Sequence, residues 1–157
     1  TVAKLRAALA TRERGRSVHF ACHGVVEPGQ PLLSALALTP AGGGDGQLTT
    51  LGVFGMKVPA DLVVLSACET GKGEVVEGEG IVGLTRAFMY AGSPRVLVSL
   101  WKVDDEATRV LMERFYAAWR EGRAPAAALK EAQAALRADK RWSDPYYWGA
   151  WALWGLE

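Results

Sequence analysis

Cysteine and histidine are scarce in this chain, with two of each in 157 residues. Two cysteines with no even-spaced framework exclude a disulfide scaffold and point to a reducing compartment, so the expected location is the cytoplasm. Cys22, Cys68, His19 and His23 make no C-x-x-C pair and no histidine pair accompanied by a carboxylate, and the side chains of adjacent Cys22 and His23 would diverge. No metal site is therefore expected. Charge of one sign is missing too: a formal net charge of +1 gives no electrostatic argument for direct nucleic-acid contact or for an anionic membrane surface. No apolar stretch approaches the roughly 20 residues of a membrane span. There is no internal repeat and no low-complexity linker, and the start Thr1-Val2-Ala3-Lys4-Leu5-Arg6 has neither the shape of a signal peptide nor an initiator Met. The expectation is a single domain over residues 1–157, the C-terminal part of a larger protein. Half of the residues are hydrophobic, enough for a core of its own.

Two segments stand out against this background: Val18-His19-Phe20-Ala21-Cys22-His23-Gly24 and Leu62-Val63-Val64-Leu65-Ser66-Ala67-Cys68-Glu69-Thr70-Gly71. Each is an apolar, β-prone run that stops at a base or a nucleophile followed closely by glycine, the form of a buried parallel strand that delivers one reactive side chain to its carboxyl end. Open α/β sheets assemble their chemistry in the crevice outside those ends, so His23 and Cys68 are expected to face one cleft. The pair makes chemical sense. A free thiol with a pKa near ~8.5 is mostly protonated at neutral pH, and an adjacent imidazole turns it into a competent nucleophile. Gly24 leaves room for an approaching carbonyl. Its N–H and that of Cys68 are candidates for an oxyanion hole, each donor worth roughly 3 to 4 kcal/mol when preorganised.

The rest of the chain alternates. Val2 to Glu13 reads as a helix feeding a strand at Ser17 to Ala21; Leu32 to Leu38 reads as a hairpin arm, closed by the turn-rich Pro40 to Gly46. Gln47 to Met56 reads as a short helix or turn, followed by a central strand at Leu62 to Ala67, a helix at Gly80 to Ala91 and a buried strand at Arg95 to Leu100. Asp104 can cap a helix carrying Val110, Leu111, Phe115 and Trp119 that stops at Gly122, and Pro125 starts another that runs to about Ala138. Trp148 to Leu156 reads as a last strand. This order predicts an α/β fold with a mostly parallel sheet flanked by helices.

The two strand ends resemble those of caspase-type cysteine peptidases, whose signature is a Cys after Ala with a His about 50 residues upstream. Within that clan the chain is most similar to the CHAT domain. The resemblance is carried by Leu65-Ser66-Ala67-Cys68-Glu69-Thr70-Gly71, by Gly78-Glu79-Gly80 running into Gly83-Leu84-Thr85-Arg86-Ala87-Phe88-Met89-Tyr90-Ala91-Gly92, by Val98-Ser99-Leu100-Trp101-Lys102-Val103-Asp104-Asp105, and by Asp144-Pro145-Tyr146-Tyr147-Trp148. One departure is Cys22, where members of this family usually carry Thr. The resemblance implies a caspase-like three-layer sandwich, here expected to lack its N-terminal strands. It also implies a cysteine endopeptidase with no cofactor, a protein substrate, and regulation by a partner or by a fused repeat or sensor domain, tetratricopeptide-repeat fusions acting in bacterial signalling or defence. Ser99, Trp101 and Asp104 are by that resemblance candidates for substrate contacts. Glu69, Glu77, Glu79 and Asp104 are each able to supply an acidic pocket.

Each reading has a plainer rival. A cysteine closing an apolar strand is commonly a small core residue. Strand alternation puts Cys22 in the packing layer if His23 faces the cleft, and His19, on the face of His23 but below the rim, reads as structural. Gly78-Glu79-Gly80-Ile81-Val82-Gly83 matches G-x-G-x-x-G formally, but it does not directly follow a strand and carries glutamates where a pyrophosphate needs positive potential. Gly71 to Gly80 is either a loop that orders before catalysis or an ordinary connection. Trp142, Trp148, Trp151 and Trp154 read as packing rather than a stacking surface, for want of Lys/Arg clusters around them. Trp101 can be a lid on the core and Asp104 only a helix cap. The alternative to the enzyme is a catalytically inactive caspase-like interaction module.

Overall fold

The computed structural model of the chain describes residues 1–11, 13–27, 29–66 and 79–156. Its centre is a four-stranded sheet in the order β1 (Gly15–Ala21), β5 (Ala60–Ser66), β6 (Arg95–Ser99) and β7 (Trp151–Gly155). The first three strands are parallel, and β7 runs antiparallel along β6. A small antiparallel sheet of β2 (His23–Val25), β3 (Ala35–Ala37) and β4 (Gln47–Thr49) stands at the carboxyl end of β1.

The apolar pattern of β5 explains the layering. Val63 and Leu65 enter one core, with Phe20, Phe88 and Val98; Leu62 and Val64 enter another, with Leu97, Leu111, Phe115 and Leu136. A strand buried on both faces needs a continuous apolar run rather than an alternating one, and Leu62-Val63-Val64-Leu65 is such a run. Helices α1 (Val2–Ala10), α2 (Thr50–Phe54) and α3 (Glu79–Tyr90) belong to the first core; α4 (Asp105–Arg120) and α5 (Pro125–Ala138) cover the other face. The result is the expected α/β arrangement: three layers around a mostly parallel sheet.

Several boundaries follow from local chemistry. Asp104 caps α4, accepting from the Ala107 N–H at 2.9 Å. The same helix ends on Gly122 at φ +95°, where the Arg123 N–H reaches the Ala118 carbonyl and the Gly122 N–H that of Trp119, so its last carbonyls are satisfied by the turn itself. Pro125 opens α5 at its first position. At Gly155, φ is +111° and a Cβ would strike the Pro94 carbonyl oxygen, so the β6–β7 edge requires glycine there.

Three expectations change. The run through Gly24 is not one strand: β1 stops at Ala21, Cys22 bends the chain, and His23 opens β2 in the second sheet. Leu32 to Leu38 shortens to β3, because Pro31 starts a 3-10 turn over Pro31–Leu33. Gln47 to Met56 divides into β4 and α2, as Thr49 caps the helix through a bond from the Gly52 N–H. A short helix, α6 (Pro145–Trp148), capped by Asp144, precedes the last strand.

Candidate active site

A cleft of about 620 Å³ opens at the carboxyl rim of the parallel strands. One wall is formed by Ala21, Cys22, His23 and Ser66, where β1 and β5 end; the other is formed by Lys102, Val103 and the first turns of α4. In the β1–β5 register Ala21 lies directly beside Ser66. In the sequence His23 follows Ala21 by two residues, across the bend at Cys22, and Cys68 follows Ser66 by two. Cys68 itself lies outside the described residues, as do Glu69, Glu77 and the Gly71 to Gly78 part of the glycine-rich loop.

His23 is exposed in the cleft and pairs with Ala37 across β2–β3; Gly24 is buried opposite Leu36. Cys22, at the bend that follows β1, also borders the cleft, yet it packs with Val18 and Phe20 against the α3-side core. Its half-buried thiol is pushed above its ordinary pKa by loss of water around the thiolate. Such a thiol is the poorer nucleophile.

His19 and Ala21 occupy the opposite, α4-facing side of β1. The His19 Nδ1 is 3.0 Å from the Tyr116 hydroxyl, and burial holds this imidazole below its ordinary pKa. The Tyr116 phenol is pushed up to about 12 by burial, against a hydrogen bond from Ser17 that acts in the other direction. His19 is thus an exposed group on the wall of the cleft, anchored through Nδ1 to Tyr116.

The α4 wall consists of Asp105, Thr108, Arg109 and Met112, which share one helical stripe. Sequence reasoning overlooked these residues, although the Asp104 cap fixes where the helix begins and hence which face its first turns offer. Arg109 is bound to Glu113 at 2.7 Å. The residues expected to touch substrate sit elsewhere. Ser99 is buried at the end of β6, opposite Trp151, with its Oγ unpartnered among the described residues. The Trp101 indole donates to the Tyr146 carbonyl at 3.0 Å, which ties it to α6. The Asp104 carboxylate is engaged by its cap. None of these three is among the residues lining the cleft, whereas their neighbours Lys102, Val103 and Asp105 are.

Among the described residues no cluster of three His, Cys, Asp or Glu side chains can hold a metal ion, and no helix is long and apolar enough to cross a membrane.

Comparison with known proteins agrees with the architecture. The CHAT domain family matches residues 1–156. The human Tetratricopeptide repeat protein 28 is 36% identical over 110 residues, which is 70% of this chain and 4% of the relative's length. Its mouse counterpart is 35% identical over the same extent. The chain therefore corresponds to a small part of the curated relatives it resembles. With the family matched over nearly its whole length on a layered, mostly parallel sheet, the chain belongs to the CHAT domain family, a caspase-like, peptidase-related group.

Proposed function

We propose that the chain is a cysteine endopeptidase in which Cys68 is the nucleophile and His23 its base. The observation that supports this most is the register that sets Ala21 beside Ser66, each two residues short of one member of the pair, on the rim of the 620 Å³ cleft. The imidazole takes the thiol proton, the thiolate adds to the scissile carbonyl, and the backbone N–H groups of Gly24 and Cys68 hold the developing oxyanion. Collapse expels the amine, protonated by His23, and leaves an acyl-enzyme. Water activated by the same imidazole then releases the acid. No cofactor enters this sequence.

The substrate is a protein. The chain acts as one domain of a longer cytoplasmic protein, with a repeat region that regulates it; the curated relatives are tetratricopeptide-repeat proteins. The test is proteolysis by the longer parent protein with its partners present, followed by sequencing of the products. Turnover that disappears in Cys68→Ala supports the reading, and cleavage that persists unchanged refutes it.

A further inference from the structure

On the α3 side of the molecule several large apolar side chains are left uncovered. Leu32 and Leu33 on the 3-10 turn, Leu51 on α2, and Met89 and Tyr90 on α3 are exposed, from 37% for Met89 to 76% for Tyr90. They lie together, because the three elements pack on one another. The Ser34 carbonyl accepts from the Thr50 N–H at 2.8 Å and from the Thr50 hydroxyl at 2.9 Å, which seats the end of the turn beside the start of α2. A Cβ on Gly83 would lie 3.8 Å from both the Pro31 carbonyl oxygen and the Thr50 methyl, so α3 crosses both elements closely. Further along, Phe54 stands edge-on to Tyr90 with ring centroids 5.4 Å apart. Leu51 and Phe54 are one turn apart on α2, as Arg86 and Tyr90 are on α3. The face therefore runs without a break from the 3-10 turn to the last turn of α3.

Scattered exposed leucines need no explanation, but a contiguous apolar face marks a contact surface. At about 200 Å² per large side chain, these five leave roughly 500 Å² of apolar surface open. A stable complex of separate molecules covers about 800 Å² on each partner, whereas two domains of one chain meet over roughly 300–750 Å² a side, helped by the effective concentration that a tether supplies. Charge also argues against a second copy. Arg86 stands within the α3 stripe with no ion pair among the described residues, and a two-fold pairing centred on this face would set two Arg86 side chains against each other. Arg6, bound to the Gly52 carbonyl at 3.4 Å, borders the face on its α1 side, and Glu27 stands at the opposite border, beside Ser34. A fitting partner is apolar with an acid opposite Arg86.

We propose that this face docks the helical repeat region of the longer protein, whose stacked helices offer a continuous apolar surface. The inference rests on the reading of the chain as one domain of a longer repeat protein and does not depend on the peptidase chemistry. The docked region adjoins the sheet in which His23 lies, since β3 directly follows the 3-10 turn and β4 runs straight into α2.

The test uses the longer parent protein carrying the photo-crosslinking residue p-benzoylphenylalanine in place of Leu51 or Tyr90, or of exposed Lys130 on α5 as a control. Ordinary and isotope-labelled protein are mixed in equal parts, and mass spectrometry identifies the crosslinked peptides. Both face probes should join repeat helices in pairs of uniform isotope content, and the Lys130 probe should not. Leu51→Asp puts an acid in the first turn of α2, where a helix tolerates it. It should lower the crosslink from Tyr90, because exclusion of one leucine shifts docking by about tenfold or more. Arg86→Glu should lower it too, by setting like charges together. Pairs of mixed isotope content, crosslinks to another protein, equal crosslinking from all three positions, indifference to both variants, or no crosslink overturns the inference. A parent sequence without helical repeats removes the repeat reading together with the inference, whereas a parent with repeats that this face never touches removes the inference alone.

Discussion

Packing accounts for Cys22: it lies with Val18 and Phe20 against the α3-side core, and burial raises its pKa. Cys22→Thr should therefore retain most turnover, whereas Cys68→Ala should abolish it; steady-state assays on a cleaved protein substrate decide between them. Gly24 gives a second test. Gly24→Val puts a β-branched group beside the incoming carbonyl, so turnover should collapse while iodoacetamide still alkylates Cys68 at near its original rate. Loss of both in a folded variant would mean that Gly24 positions the histidine instead. His19 supplies a pH signature. Its folded-state pKa lies below the ordinary 6.5, so its neutral form stabilises the fold above that value, and the contribution is lost as pH falls through 6.5 toward the folded pKa, where the unfolded chain takes up the proton first. Stability curves should fall less steeply over that acid range in His19→Gln than in wild type. Alternation alone made the facing of Cys22 legible in the sequence. The anchor of His19 was not, because Tyr116 is 97 positions away and only the packing of α4 on β1 brings the two together.

The helices were legible because their ends carry their own chemistry. Asp104, Gly122 and Pro125 each mark a terminus by a local rule, and α4 begins and ends, and α5 begins, where those rules place them. Asp104→Ala should cost about 1 kcal/mol of stability by thermal or urea unfolding, and Asp104→Ser should restore most of it. If Asp104 also touched substrate, the Ser variant would be stable yet slow. The break between β1 and β2 was not legible. Val18 to Gly24 read as one β-prone run with its strand at Ser17 to Ala21, and what divides the run is pairing: β1 hydrogen-bonds β5, while His23 to Val25 pair with Ala35 to Ala37 of a different sheet. Such a switch of partner leaves no mark on hydrophobic periodicity.

The whole molecule is a sheet with an independent core on each face. Phe88 and Phe115 are fully buried on opposite faces, so Phe88→Ala and Phe115→Ala should each cost about 3–5 kcal/mol. Sites this well separated should add to within about 0.5 kcal/mol in the double variant, by the same unfolding measurement. The layered arrangement was legible because the strands β5 and β6 are apolar on both faces and alternate with helices. The α4 wall of the cleft was not read, since it depends on how a helix lies across strands distant in sequence. The central claim concerns the rim these layers build, and the most direct measurement is the rate of Cys68 alkylation by iodoacetamide at pH 7 in wild type and in His23→Ala, with folding of both confirmed. A dyad predicts a fall of roughly tenfold or more when the imidazole is removed, because the free thiol is only a few per cent thiolate at that pH. Equal rates in the two proteins would contradict it.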